Sequence, residues 1–315
     1  FNLVKRRLRD QLDQAKANPN FIAAREMAKL RYEDDHPFHY IDAGDPDAFE
    51  AITIDDLKAF HANYYSFDKA RLAIVGAYDE TLVKTNFSRL ETQLTTAPDE
   101  PKRPKISTVD TSKVYIYDIP KAKQSVLNIA RPSLTAMDKN YPLMESLNYT
   151  LGGVYTSKLN SALRVDKGYT YGIRSRFNGA EDTGTFSVNT SVRTNVTYDA
   201  IDLIREILSQ YGPDMSEAEL AILKDALLRG QALGSETLQQ KLGTLRDIIR
   251  FDLPDDYAAN NAEQLKALTL SEAKGLLKAY IRPDAMRYVV VGDAATQSAR
   301  LNDLGYGKAV KLNAK

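Results

Sequence analysis

"TIDDLKAFHANYYSFDKARLAIVG", residues 53 to 76, returns later in the chain as "TLSEAKGLLKAYIRPDAMRYVVVG", residues 269 to 292. The two align without a gap, 216 residues apart. Seven of the 24 positions are identical: Thr53/Thr269, Lys58/Lys274, Tyr64/Tyr280, Asp68/Asp284, Arg71/Arg287, Val75/Val291 and Gly76/Gly292. In each copy a threonine stands where a helix N-cap accepts an amide hydrogen bond. Acidic residues follow in the first turn, where they complement the helix dipole. Each helix is expected to run into a short loop and then an apolar strand that closes on glycine.

The spacing of the copies measures the repeating unit. A unit of about 216 residues places the second copy from about 105 to the C-terminus and leaves the first copy only its second half. We therefore expect three parts: 1–97, the C-terminal half of a first domain; 98–104, a linker; and 105–315, a complete second domain. The joint falls in "TTAPDEPKRPK", where Pro98, Pro101 and Pro104 punctuate a polar stretch. The chain opens on Phe1 in a charged amphipathic segment, which leads us to expect a fragment or a processed product.

Within 105–315 the patterning predicts strands at 113–120, 124–131, 169–177, 184–192 and 287–292. It predicts helices near 139–151, 156–166, 197–211, 216–231, 235–250 and 271–281. Two hairpin-like strand pairs separated by helices give an α+β fold, a mainly antiparallel sheet with helices on one face.

Bulk composition excludes several function classes. Of 315 residues, 42 are basic and 42 acidic, so no electrostatic case exists for nucleic acid or an anionic membrane. Charged residues at 27% and hydrophobic residues at 43% are those of a globular chain. No apolar run approaches the ~20 residues of a membrane span. With no cysteine there is no disulfide, thiol nucleophile or thiolate metal ligand. The three histidines, His36, His39 and His61, complete no ligand set by spacing, and no metal ligand is assigned. Ser157 has no histidine near it to serve as a base.

The stretch "SALRVDKGYTYGIRSRF" (161–177) places Arg164 and Tyr171 on either side of a corner at Lys167-Gly168. Taken alone, the arginine suits helix capping and the tyrosine suits packing on the sheet. Their surroundings add more. Leu151-Gly152-Gly153, Ser157-Lys158-Leu159, Leu163-Arg164, Lys167-Gly168 and Tyr171 stand in an order that resembles the C-terminal domain of the M16 (pitrilysin, insulinase-like) zinc peptidases. "ANPNFIA", "DDHPFHY", "ITIDDLKAFHANYY" and "ARLAIVG" resemble the back half of that family's N-terminal domain.

The resemblance implies a tandem of M16 (LuxS/MPP-like) domains around a cavity, with Arg164 and Tyr171 facing a zinc site across it. In that role they donate to the carbonyl oxygen of a peptide as charge develops on it. Gly152 and Gly153 are a candidate pair for close approach to a bound peptide backbone, although a tight turn after a helix is the commoner reason for such a pair. The family's inverted His-x-x-Glu-His motif is absent, and our alignment puts Gln11 at the position of the later glutamate ligand. An amide is a poor Zn²⁺ ligand. The expectation is thus a chain without its own cofactor, with zinc in a partner chain or in an N-terminal region outside this sequence. The partners implied are a zinc-bearing M16 homologue in a heterodimer and a peptide substrate. Two alternatives stand beside it: a piece of a self-contained zinc peptidase with its motif upstream, and a non-catalytic peptide-binding or assembly protein. The compartment expected is the bacterial periplasm, with the cytoplasm as alternative.

Overall fold

Two apolar stripes of opposite phase run along the strands of the second unit, and both are covered, each by a different part of the chain. In the computed structural model the described residues are 1–40, 44, 46–66, 70–91, 108–234 and 236–313. The expected linker 98–104 lies outside them.

The helices are α1 (Asn2–Lys16), α2 (Pro19–Arg31), α3 (Pro46–Phe49), α4 (Ile54–Tyr64) and α5 (Glu80–Glu91) in the first part of the chain. Strands β1 (Lys113–Asp118) and β2 (Gln124–Pro132) follow, then α6 (Tyr141–Asn148), the short α7 (Lys158–Asn160), and strands β3 (Thr170–Gly179) and β4 (Gly184–Arg193). The chain continues through α8 (Thr197–Tyr211), α9 (Glu217–Leu233), α10 (Leu238–Phe251), α11 (Tyr257–Ala267), α12 (Leu270–Tyr280), β5 (Arg287–Gly292), α13 (Ala294–Leu301) and β6 (Val310–Lys311).

The strands form one sheet in the order β3-β4-β2-β5-β1-β6. β3 with β4, β4 with β2, and β2 with β5 run antiparallel, while β1 lies parallel to both β5 and β6. The α+β class and the mainly antiparallel sheet are as the sequence implies. The first expected hairpin is not. β1 and β2 are successive in sequence, yet β5 lies between them and bonds to both. The all-apolar run Tyr288–Val291 explains this: it is buried on both faces, as a central strand must be. β3 and β4 do form a hairpin-like antiparallel pair.

One face of the sheet carries Val114, Ile116, Leu127, Ile129, Phe186, Val188, Tyr288 and Val290 under the helices of the second unit, the main core. The opposite face carries Val126, Ala130, Val289 and Val291, and α2 lies on it through Ile22, Ala23 and Met27. Burying a side chain such as Ile22 or Met27 contributes on the order of 1.5–3 kcal/mol. The helix is placed at its start by Asn18, whose side chain accepts from the Asn20 N–H at 2.9 Å. α2 lies mainly on β2 and β5. The same face of β3 and β4 presents Arg174, Arg176, Asn178, Ser187 and Asn189 to a trough.

The helices of the sequence repeat superimpose by number. Moved 216 positions on, α4 falls on Leu270–Tyr280, the bounds of α12. Both are opened by a reciprocal capping box, Thr53 with Asp56 and Thr269 with Glu272. Moved by the same amount, α1 falls on 218–232, inside α9. The strand half of the repeat is a correction. Residues 287–292 are β5, but 71–76 form no strand. A strand exists through ladder bonds, and among the described residues none lies beside 71–76 as β1 and β2 lie beside β5.

Candidate functional site: the Arg164–Tyr171 trough

The corner that holds Arg164 and Tyr171 is made by three local devices. The helical segment Ser161–Asp166 is wound as a π-helix and ends with the Lys167 N–H donating to the Ala162 carbonyl at 3.1 Å. Gly168 then turns at φ +59°, a left-handed conformation that a side chain disfavours. The Tyr169 N–H closes the turn on the Leu163 carbonyl at 2.8 Å. Finally, the register of β3 on β4 slips between Thr170 and Ile173: Thr170 faces Val192 and Ile173 faces Thr190. Three residues on β3 span what two span on β4, so Tyr171 and Gly172 bulge. A bulge re-aims a side chain, and here it carries Tyr171 out to 90% exposure.

Polar side chains hold the bulge. The Thr170 hydroxyl accepts from the Gly172 N–H at 3.0 Å, and the Thr190 hydroxyl lies 2.9 Å from both the Thr170 hydroxyl and the Gly172 carbonyl. Beyond it, the buried Asn160 amide pairs with both backbone groups of Ile173. Asn148 does the same work one step along, donating to the Ser175 carbonyl at 2.9 Å and accepting from the Ser175 hydroxyl. None of these asparagines was singled out from sequence. The available signal is their spacing, since Asn148 and Asn160 flank the Gly-Gly turn on the two segments that face β3.

Arg164 and Tyr171 line one cavity of about 620 Å³ with Tyr155, Arg174, Arg176 and Asn189. No aspartate or glutamate is among the lining residues, so three guanidiniums set its charge. The Arg164 guanidinium lies 4.5 Å from the Tyr155 ring centroid, a cation–π contact that directs it without consuming its hydrogen bonds. Tyr155 is a second residue that sequence reasoning missed.

Gly152 and Gly153 do not line this cavity. Gly152 is buried, and a Cβ there would stand 2.2 Å from Ser175 Oγ and 2.7 Å from the Ser175 nitrogen. The missing side chain lets the segment after α6 close on β3. Gly153 gives its carbonyl to Arg174 at 3.4 Å.

Among the described residues no group of three His, Asp or Glu side chains could hold a metal ion. His36 and His39 are buried and committed locally. His36 Nδ1 accepts from the Phe38 N–H at 3.0 Å, and His39 Nδ1 lies 3.0 Å from the Tyr32 carbonyl. His61 stacks on Tyr65 at 4.7 Å. Gln11 is exposed on α1, where Leu12 is the buried residue. No helix among the described residues is long and apolar enough to cross a membrane.

The mixed sheet carries its main core and most helices on one face, and α2 beside a cationic trough reached by Arg164 and Tyr171 on the other. The chain belongs to the M16 peptidase family: the family profile described as "Peptidase M16 inactive domain" matches residues 51–227, more than half of it. It is similar to the non-peptidase homolog YmxG of Helicobacter pylori, 23% identical over 264 residues, which cover 79% of this chain and 58% of that protein. It is also similar to an uncharacterized zinc protease of Mycobacterium leprae, 27% identical over 64% of this chain and 46% of that one. The chain thus spans about half the length of these relatives. The crystal structure of a peptidase M16 inactive domain from Pseudomonas fluorescens superimposes with a TM-score of 0.83 at 24% identity, over 93% of this chain and 70% of that one. That likeness is one of fold. The matching family model is described as an inactive domain, the Helicobacter protein is named a non-peptidase homolog, and a Bacillus subtilis relative is named a probable inactive metalloprotease.

Proposed function

We propose that this chain is the Arg/Tyr-bearing, zinc-free member of a two-chain M16 peptidase. It contributes Arg164 and Tyr171 to a peptide whose hydrolysis needs zinc held by a homologous partner. One observation carries the reading. Arg164 and Tyr171 reach the same cavity, the tyrosine thrust out on a bulge and the arginine held on a ring face, and the lining holds no carboxylate to neutralise either. A tyrosine with 90% of its surface in solvent has no packing role to explain it. Two donors aimed at one carbonyl oxygen stabilise negative charge as it develops, and loss of one such donor typically costs about 2.7–4 kcal/mol. Zinc, when supplied by the partner, provides the activated water. Gly152 supports the trough from behind by its packing on Ser175.

The same reading divides the chain into 1–97 and 105–315 joined by 98–104, and sets the pair of chains in the bacterial periplasm. The test is peptide cleavage by this chain mixed with a zinc-bearing M16 homologue encoded beside it. Cleavage should require both chains. Tyr171→Phe and Arg164→Ala should lower kcat more than they raise KM, because the interaction strengthens in the transition state. Wild-type rates in both variants would overturn the role. Binding of peptides without cleavage in any mixture would favour the non-catalytic alternative.

A further inference from the structure

A second cavity, of about 350 Å³, opens where the last turn of α2 meets β4 and the end of β3. Its walls include Arg31, Tyr32, Asn128, Asn178, Thr185 and Asn189. It shares Asn178, Ser187 and Asn189 with the Arg164–Tyr171 cavity, so the two are compartments of one trough.

Arg31 is held firmly and left unsatisfied. Its guanidinium sits 4.8 Å from the Tyr32 ring centroid, and Nη2 donates to the Tyr32 hydroxyl at 2.7 Å and to the Thr185 hydroxyl. Nε is buried and has no acceptor. Among the described residues no carboxylate pairs with it, and the nearby charge that acts on it is a second cation, Arg287, whose own Nη1 is buried without an acceptor. A buried, unused donor on a cation is costly unless an anion completes it. Across the same cavity Asn128 Oδ1 is buried with no donor. The site therefore offers a cation with a spare N–H and, separately, a spare acceptor.

We propose that this cavity binds the C-terminal carboxylate of a peptide, with Arg31 holding the carboxylate and Asn128 accepting the N–H of the last residue. An anion without a proton, such as sulfate, would satisfy Arg31 alone and leave Asn128 Oδ1 unpaired. A peptide end supplies both an anion and a donor. The proposal rests on the peptide-binding reading of the trough and sharpens its substrate class. The bulge at Tyr171 lies opposite β4 near Ser191, and Arg31 touches β4 at Thr185. Six residues of strand separate these points, about 20 Å at ~3.4 Å per residue. A peptide extended along the open face thus places its C-terminus about six residues beyond the carbonyl that meets Arg164 and Tyr171.

The test is fluorescence anisotropy with a labelled eight-residue Ala/Gly peptide, prepared as free acid and as C-terminal amide, on the chain as purified. The free acid should bind at least about tenfold more tightly. In Arg31→Gln that preference should fall below about twofold. Asn128→Asp places a fixed carboxylate in the cavity and should weaken the acid while sparing the amide, a readout that does not depend on the stability of the Arg31 variant. Equal binding of acid and amide to the wild type overturns the proposal, as does a preference that survives Arg31→Gln in a folded protein. If neither peptide binds, the peptide-binding reading itself fails. The carboxylate site is then read alone, by titrating N-acetylglycine against the Arg31 Nε–H resonance. A saturating shift supports the site, and no shift overturns it.

Discussion

The Asn160 side chain and the Ile173 backbone bond to each other twice: Nδ2 donates to the carbonyl at 2.8 Å and Oδ1 accepts from the N–H at 3.1 Å. β3 is an edge strand, bonded on one side to β4 alone. On its free side the asparagine amide stands in for one residue of a missing strand. Asn160 is 4% exposed, so water does not replace it. Asn160→Ala leaves a buried donor and a buried acceptor unpaired, at roughly 1–3 kcal/mol each. Urea unfolding should show a loss of about 2–4 kcal/mol. Asn160→Asp should also be costly, because a carboxylate cannot donate to the Ile173 carbonyl. A variant as stable as wild type would mean that the bulge beside it needs no clamp.

Gly152 and Gly153 separate under the same measurement. A methyl group at 152 meets Ser175 Oγ at 2.2 Å and backbone nitrogen at 2.7 Å, and at 153 its nearest neighbour is the Asn148 carbonyl, at 3.2 Å. The first contact forces the segment away from β3, and overpacking of this kind costs about 1–3 kcal/mol. Gly152→Ala should therefore destabilise clearly and Gly153→Ala much less. If Gly152→Ala kept full stability but lost peptide binding, the glycine would be serving the substrate.

Much of this was legible because local chemistry and fold agree. Thr53 and Thr269 announce capping boxes that form, and Gly168 announces the turn that separates Arg164 from Tyr171. What stayed hidden depends on distant partners. Nothing between residues 113 and 132 says that β5 will insert between β1 and β2. The apolar residues Ile22, Ala23 and Met27 predict a buried helix face, but not that it lies on the second unit's sheet. The bulge at Tyr171 goes with a register slip against Thr190, nineteen residues away, and the π-wound segment 161–166 lies against β3. Residues 71–76 resemble β5 in sequence but lack its neighbours, so similar segments take different structures.

His36 makes one prediction about pH. Burial holds its pKa below the usual histidine value; Asp35 and Asp182 oppose that shift, and Arg31 reinforces it. The unfolded chain therefore takes up a proton near pH 6.5 before the folded chain does. The stability associated with neutral His36 is complete above pH 6.5 and is lost as pH falls from there towards the lower folded value. His36→Asn keeps an acceptor for the Phe38 N–H and does not titrate. Urea midpoints at pH 7 and pH 5 should fall less steeply in this variant than in wild type, and parallel slopes would rule out a contribution from His36.

Tyr155 is the residue on which the Arg164 geometry turns. Its ring is 58% exposed, so it contributes little to the core, yet it carries the guanidinium at 4.5 Å. A cation–π contact at such a site is worth about 0.5–1 kcal/mol. Tyr155→Ala should therefore leave the urea midpoint within about 1 kcal/mol of wild type and still release Arg164 from its direction. In the two-chain cleavage assay a freed guanidinium can bind a peptide but no longer meets the developing oxyanion in a fixed orientation, so kcat should fall with KM little changed. Tyr155→Phe keeps the ring face and should restore kcat, which separates positioning by the ring from any hydrogen bond by the hydroxyl. Tyr171→Phe supplies the contrast. At 90% exposure its ring supports nothing, its stability should match wild type within about 0.5 kcal/mol, and its loss of kcat should not be rescued by any aromatic lacking a donor. Equal kcat for Tyr155→Ala and wild type would show that Arg164 needs no such support.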